Sequence, residues 1–146
     1  MPEITTTTPL PALQRVLAIL RAQHWFYYSQ HWQATNYQSH LLFQRLYESL
    51  PEQFDGLAEK LVGLFGKPAV DALPAMQSAV EAVAAWATFP DQLQAALQSE
   101  SDLRGAILSA LESVADNPGV GLDNFLRGVI DDHETNWYLL RQAQGG

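Results

Sequence analysis

The chain has 146 residues, 47% of them hydrophobic, which is enough for one folded unit over residues 1–146 with a core of its own. It has no cysteine, which excludes thiolate metal sites, disulfides and cysteine nucleophiles and leaves only N and O ligands for any bound metal. Eight Lys plus Arg against sixteen Asp plus Glu give a net charge of −8 with no basic run, a field that repels phosphate backbones, so DNA binding is not expected.

The opening MPEITTTTPLPAL carries no Lys or Arg and lacks the apolar stretch of a signal peptide. No later segment runs through eighteen apolar residues, so a cytoplasmic protein without membrane contact is expected. From the Thr8-Pro9 boundary, Leu10, Leu13, Leu17, Leu20, His24, Tyr27 and His31 recur at steps of three and four. That is one stripe of a long helix, and it turns His24 and His31 inward.

Ala34 to Asn36 can turn the chain, with Asn36 as N-cap of a second long helix marked by Tyr37, Leu41, Leu42, Leu46, Leu57, Leu61 and Leu64 and ending near Gly66. Pro51 interrupts it, because an interior proline removes a backbone hydrogen bond and clashes with the preceding turn. Ser49 with Glu52 also reads as a capping box, so a kink or short break is expected at residues 49–51.

Residues 67–88 are alanine-rich and punctuated by proline, with a short connecting helix expected over 76–86. A third long helix follows Pro90 on the stripe Leu93, Leu97, Leu103, Ile107, Leu111 and Val114, and DNPGVG at 116–121 stops it. The fourth carries Leu122, Leu126, Val129, His133, Trp137 and Leu140. Four long amphipathic helices without strand-like alternation predict an all-α fold. The long crossover points to a ferritin-like four-helix bundle with a short extra helix between helices two and three.

Two stretches carry candidate chemistry. QHWQATNYQSH places His31 and His40 around a turn, and DGLAE sets Asp55 and Glu59 four residues apart on one helix face. Together they form an N/O donor set that suits iron, and equally zinc or manganese. On a continuous helix His40 and Asp55 lie ~22 Å apart, too far to share one ion. Two copies packed about a twofold axis can instead bring the histidines of one against the acids of the other, giving two identical sites.

These stretches resemble the ferritin-like Dps proteins, which oxidise and store iron and protect DNA. The matching residues are HW at 31–32, NY with His40 at the opening of helix two, LYESL at 46–50, DGLAEKLVGLFG at 55–66 and NWYLLR at 136–141. The resemblance implies a ferroxidase centre across a dimer interface, with His31, His40, Asp55 and Glu59 as metal-binding and catalytic residues. It further implies Fe²⁺ as the metal, peroxide or dioxygen as oxidant, and a homo-oligomer, at least a dimer and in the family a dodecamer.

The chain departs from the family pattern in several places. Only eight residues separate His31 from His40, a shorter connection than the family usually shows. The family's early acid in helix two falls on Gln44, with Glu48 one turn further on, and the lysine-rich DNA-binding tail is missing.

His24 either adds nitrogen to the site or is a packed histidine. Asp131, Asp132, His133 and Glu134 read as a solvated acidic patch, because only Asp131 and Glu134 share a face. No Glu-x-x-His pair is present, which argues against a metal centre enclosed in one bundle, and no haem is implied. The four tryptophans read as core and interface residues. Beside the ferroxidase stand two alternatives, a ferritin-like scaffold or assembly module with weak or no oxidation, and a bundle that binds a small apolar ligand at HWFYY, residues 24–28.

Overall fold

A computed structural model describes residues 8–115 and 120–145. Among these residues are six α-helices, α1 (Leu10–Gln33), α2 (Tyr37–Glu48), α3 (Leu50–Phe65), α4 (Ala72–Trp86), α5 (Gln92–Val114) and α6 (Val120–Gly145), with short turns and a 3₁₀ turn at Lys67–Val70 joining α1 to α5. The described residues contain no strand, and none of their helices is long and apolar enough to cross a membrane.

The starts and stops follow local chemistry. Proline at the first turn of α1 costs nothing, since its missing N–H would be unpaired there. Asn36 caps α2 through its side chain, which accepts from the Ser39 N–H at 2.8 Å, and Asp91 caps α5 by accepting from Leu93 and Gln94. Gly66 ends α3 at φ 91°, a conformation that favours glycine.

Pro51 does divide the expected second helix, and the break falls at Ser49. The capping box does not form. The Ser49 hydroxyl donates to the Leu46 carbonyl behind it, and no side chain caps α3. Pro51 instead sits in the first turn of α3, where its lack of an N–H does no harm. The crossover helix is longer than its apolar stretch suggested, starting at Ala72. The DNPG part of the expected stop signal at 116–121 lies outside the described residues, and α6 is already helical from Val120.

The long helices α1, α2 with α3, α5 and α6 form the bundle. α1 packs against α2, α3 and α5, while α6 packs against α5 and α3. Leu13, Leu20, Phe43, Leu46, Leu57, Leu61, Leu103, Ile107, Leu126 and Leu140 fill the core, all fully buried. The crossover helix α4 lies along α1 and is tied in by Trp86, which packs on Phe26 and donates its Nε1–H to Asp102 at 2.8 Å. On α6 the inward stripe runs His133, Asn136, Leu140, so Asn136 takes the place expected for Trp137, which is exposed.

Candidate metal centre

The histidine pair is closed by a turn of three residues, Ala34 to Asn36, between α1 and α2. The shortened connection stacks the His31 and His40 rings, with centroids 3.7 Å apart and planes at 23°. Each Nδ1–H is placed to donate to the other residue's backbone carbonyl, His31 to His40 at 2.7 Å and His40 to His31 at 2.9 Å. The reason is local: the His31 carbonyl belongs to the last turn of α1, where carbonyls lack partners within the helix.

With both Nδ1 atoms donating, each Nε2 carries the lone pair, and neither has a hydrogen-bond partner among the described residues. This is the arrangement in which a ligating histidine is oriented by a carbonyl on its other nitrogen. His31 is buried and His40 half-buried, so the pair sits at the edge of the bundle.

Asp55 and Glu59 lie one turn apart on α3, both exposed. Among the described residues, no three His, Asp or Glu side chains converge closely enough to hold a metal ion, so one chain alone does not assemble the four candidate ligands. Gln44 donates its amide to Glu48 at 2.9 Å, which occupies both side chains with each other.

Asp55 borders a groove of about 840 Å³ between α1, α3 and α4, lined by Leu17, Trp25, Phe54, Met76 and Val80. His24 faces this groove, half-buried, and does not point into the bundle core as its place on the α1 stripe predicted. Its ring packs edge-on against Tyr28, Tyr47 and Phe54. Partial burial and then the neighbouring Arg21 cation lower its pKa below the ordinary histidine value. Of its lining residues Trp25, Met76 and Val80 are exposed, and so are Trp32 on α1 and Leu73 on α4.

A second polar cluster lies inside the bundle, with one side chain from each of four helices: Gln23, Gln53, Glu100 and His133. His133 is placed to donate Nδ1–H to Glu100 at 2.6 Å, and its Nε2 faces the Gln53 carbonyl oxygen at 2.7 Å. Gln23 donates to Glu100 and to Ser99, each at 3.1 Å, and Ser99 pairs with the Tyr27 hydroxyl at 2.8 Å. Burial, followed by the Glu100 charge, pushes the Tyr27 phenol well above its usual range.

This cluster does not fit a bundle-core metal centre. Such a centre draws a carboxylate or a Glu-x-x-His pair from each helix, whereas this one has a single carboxylate and a single imidazole, already joined. Only the Gln23 side-chain oxygen lacks a partner among its buried atoms. Sequence reasoning missed the cluster, although its signal was there: Glu100 interrupts the apolar stripe midway between Leu97 and Leu103. His133 likewise separates from Asp131, Asp132 and Glu134, which are exposed as an acidic surface should be.

Comparison with curated proteins finds no match. Three chains of solved structures are similar, among them two Dps proteins. Dps from Thermosynechococcus elongatus superposes with a TM-score of 0.79 at 17% identity, over 94% of this chain and 90% of that one. Dps from Vibrio cholerae O1, described as a member of a broad superfamily of ferritin-like diiron-carboxylate proteins, gives 0.77 at 19% identity, over 93% and 88%. The ferritin-like domain model matches residues 11–144, and the chain belongs to that family, with the helical fold seen in Dps structures.

Proposed function

We propose that this protein is a Dps-like ferroxidase that binds Fe²⁺ at a site shared between two copies of the chain and oxidises it with hydrogen peroxide or dioxygen. The observation that carries the reading is the reciprocal histidine pair, which holds two imidazoles in the tautomer that leaves Nε2 free for a metal. His31 and His40 supply the nitrogen ligands, and Asp55 and Glu59 of a second copy supply charge-neutralising carboxylates. That donor set suits Fe²⁺ and accommodates zinc or manganese as well.

The apolar groove beside Asp55 supports the shared site, since a face this apolar is suited to burial against another copy. A homodimer is the smallest assembly that completes the centre, and larger shells are compatible with it. Two Fe²⁺ ions supply the two electrons that convert peroxide and two protons to two waters, leaving Fe³⁺ available for storage. The net charge of −8 favours cations at the surface and disfavours DNA.

One observation favours a scaffold with little oxidation: the position where an additional early acid would stand is the neutral Gln44, paired with Glu48. Anaerobic loading with Fe²⁺ followed by peroxide separates the two readings. The ferroxidase gives a ferric absorbance rise that His31→Ala or Asp55→Ala abolishes, and no rise in the parent protein leaves only the scaffold. Mixing His40→Ala with Asp55→Ala subunits restores a fraction of the sites if the ligands come from opposite chains, and restores none if they do not.

A further inference from the structure

The rings around the histidine pair continue well beyond it. The Tyr47 ring lies 5.3 Å from His31 and stacks on Tyr28 with centroids 4.1 Å apart and planes at 15°. Tyr28 then meets Trp32 at 4.7 Å, and Trp32 meets Trp25 at 5.8 Å. Every step is a ring contact, so an unbroken aromatic path leads from a candidate ligand to two tryptophans that are each 59% exposed. Both tyrosines are only partly buried, so the path runs along the surface of the bundle and is no part of its core.

We propose that the stacked Tyr28–Tyr47 pair is a one-electron donor to the histidine site, acting when a single Fe²⁺ is bound there. The proposal rests on the ferroxidase reading and extends it to a case that reading leaves unbalanced. Peroxide needs two electrons to reach water, and one Fe²⁺ supplies one. A phenol next to the site supplies the other, together with a proton.

The balance is Fe²⁺, H₂O₂ and one tyrosine phenol going to Fe³⁺, hydroxide, water and a neutral tyrosyl radical. The O–O bond breaks. One oxygen leaves as hydroxide with the electron from iron, and the other takes an electron and a proton from the phenol and leaves as water. Without the phenol, that second oxygen escapes as hydroxyl radical. The stacked partner and Trp32 spread the resulting radical away from the ligands, toward a surface where a reductant can reach it.

The test uses the full chain loaded anaerobically with one Fe²⁺ per subunit, mixed with one equivalent of peroxide and frozen within milliseconds. Ferric absorbance reports iron oxidation, and electron paramagnetic resonance near g = 2 reports an organic radical. The expected result is a radical signal that narrows in protein carrying ring-deuterated tyrosine and falls several-fold in the Tyr28→Phe/Tyr47→Phe double variant. In that variant the ferric rise persists, while spin-trapped hydroxyl radical increases several-fold.

Phenylalanine keeps the rings and removes only the hydroxyls, so a purely packing role leaves both radical readouts unmoved. Iron oxidation without an organic radical, or a radical unaffected by tyrosine deuteration, overturns the relay and leaves the ferroxidase standing. Absence of iron oxidation overturns both, and it is read in the separate absorbance channel.

Discussion

His133 and Glu100 meet at 2.6 Å in the middle of the bundle, imidazole Nδ1 against a carboxylate oxygen, with side chains 7% and 2% exposed. They link α6 to α5, and through Gln53 and Gln23 the same pair reaches α3 and α1. Removing one partner leaves the other buried without its hydrogen bond, which typically costs about 1–3 kcal/mol. Glu100→Ala is therefore expected to lower the urea unfolding midpoint sharply, and Glu100→Gln, which keeps an acceptor for His133, to lower it less. A Glu100→Ala protein as stable as the parent removes the pair from any account of the core.

Two glycines in helices make opposite predictions. A Cβ on Gly56 would stand 2.9 Å from the Phe125 ring, so Gly56 is where α3 and α6 approach closely. Gly56→Ala must displace that half-buried ring, and overpacking of this kind costs about 1–3 kcal/mol. At Gly105, in the interior of α5, a Cβ meets nothing within 4 Å. Gly105→Ala should stabilise the protein by about 1 kcal/mol through helix propensity alone. Thermal melts of the two variants should shift in opposite directions, and a shift in the same direction contradicts the packing described.

Much of this architecture is legible from apolar spacing. Leu13, Leu17 and Leu20 on α1, or Leu122, Leu126 and Val129 on α6, mark their buried faces directly, because burial in a helix repeats every three to four residues. Asn36 and Pro51 mark the turn and the break for equally local reasons. Spacing fails where two residues share a stripe but end in different surroundings. His24 and His31 are seven residues apart on one face, yet His31 reaches the turn and its partner His40 while His24 faces the groove.

Relations between helices are invisible to periodicity. Nothing in the order of residues announces that Tyr28 stacks on Tyr47, or that Gln53 meets His133 across 80 positions. The candidate site was legible as four residues at suggestive spacing. Its most informative feature, the reciprocal bonding of the two histidines to each other's carbonyls, depends on how tightly the turn closes.

His24 provides a pH signature. Burial and Arg21 depress its pKa in the folded protein, so the unfolded chain binds a proton there more readily than the folded one. The sign follows directly: this contribution is fully present above the unfolded value near 6.5 and is lost as pH falls below it toward the lower folded value. Between pH 7.5 and 5.5 the parent should therefore lose more stability than His24→Phe, which keeps a ring among Tyr28, Tyr47 and Phe54. Parallel chemical denaturation at the two pH values measures the difference, and equal losses contradict it.

Asn36 joins stability to the candidate site. Its side chain accepts the Ser39 N–H at 2.8 Å and so fixes the first turn of α2, which carries His40. Replacing such a cap by alanine costs about 1 kcal/mol. Fraying of that turn also loosens the His40 carbonyl that orients His31 and the His40 ring that stacks upon it. Asn36→Ala is thus expected to weaken binding of a divalent probe such as Co²⁺ as well as to lower the melting temperature. Asp91→Ala, the equivalent cap on α5, should lower the melting temperature by a similar amount and leave Co²⁺ affinity unchanged, because among the described residues neither histidine has a hydrogen bond or ring contact with α5. Calorimetric titration of both variants separates the effects: equal losses of affinity mean that general destabilisation accounts for them, whereas a loss confined to Asn36→Ala traces it to the turn that holds His31 against His40.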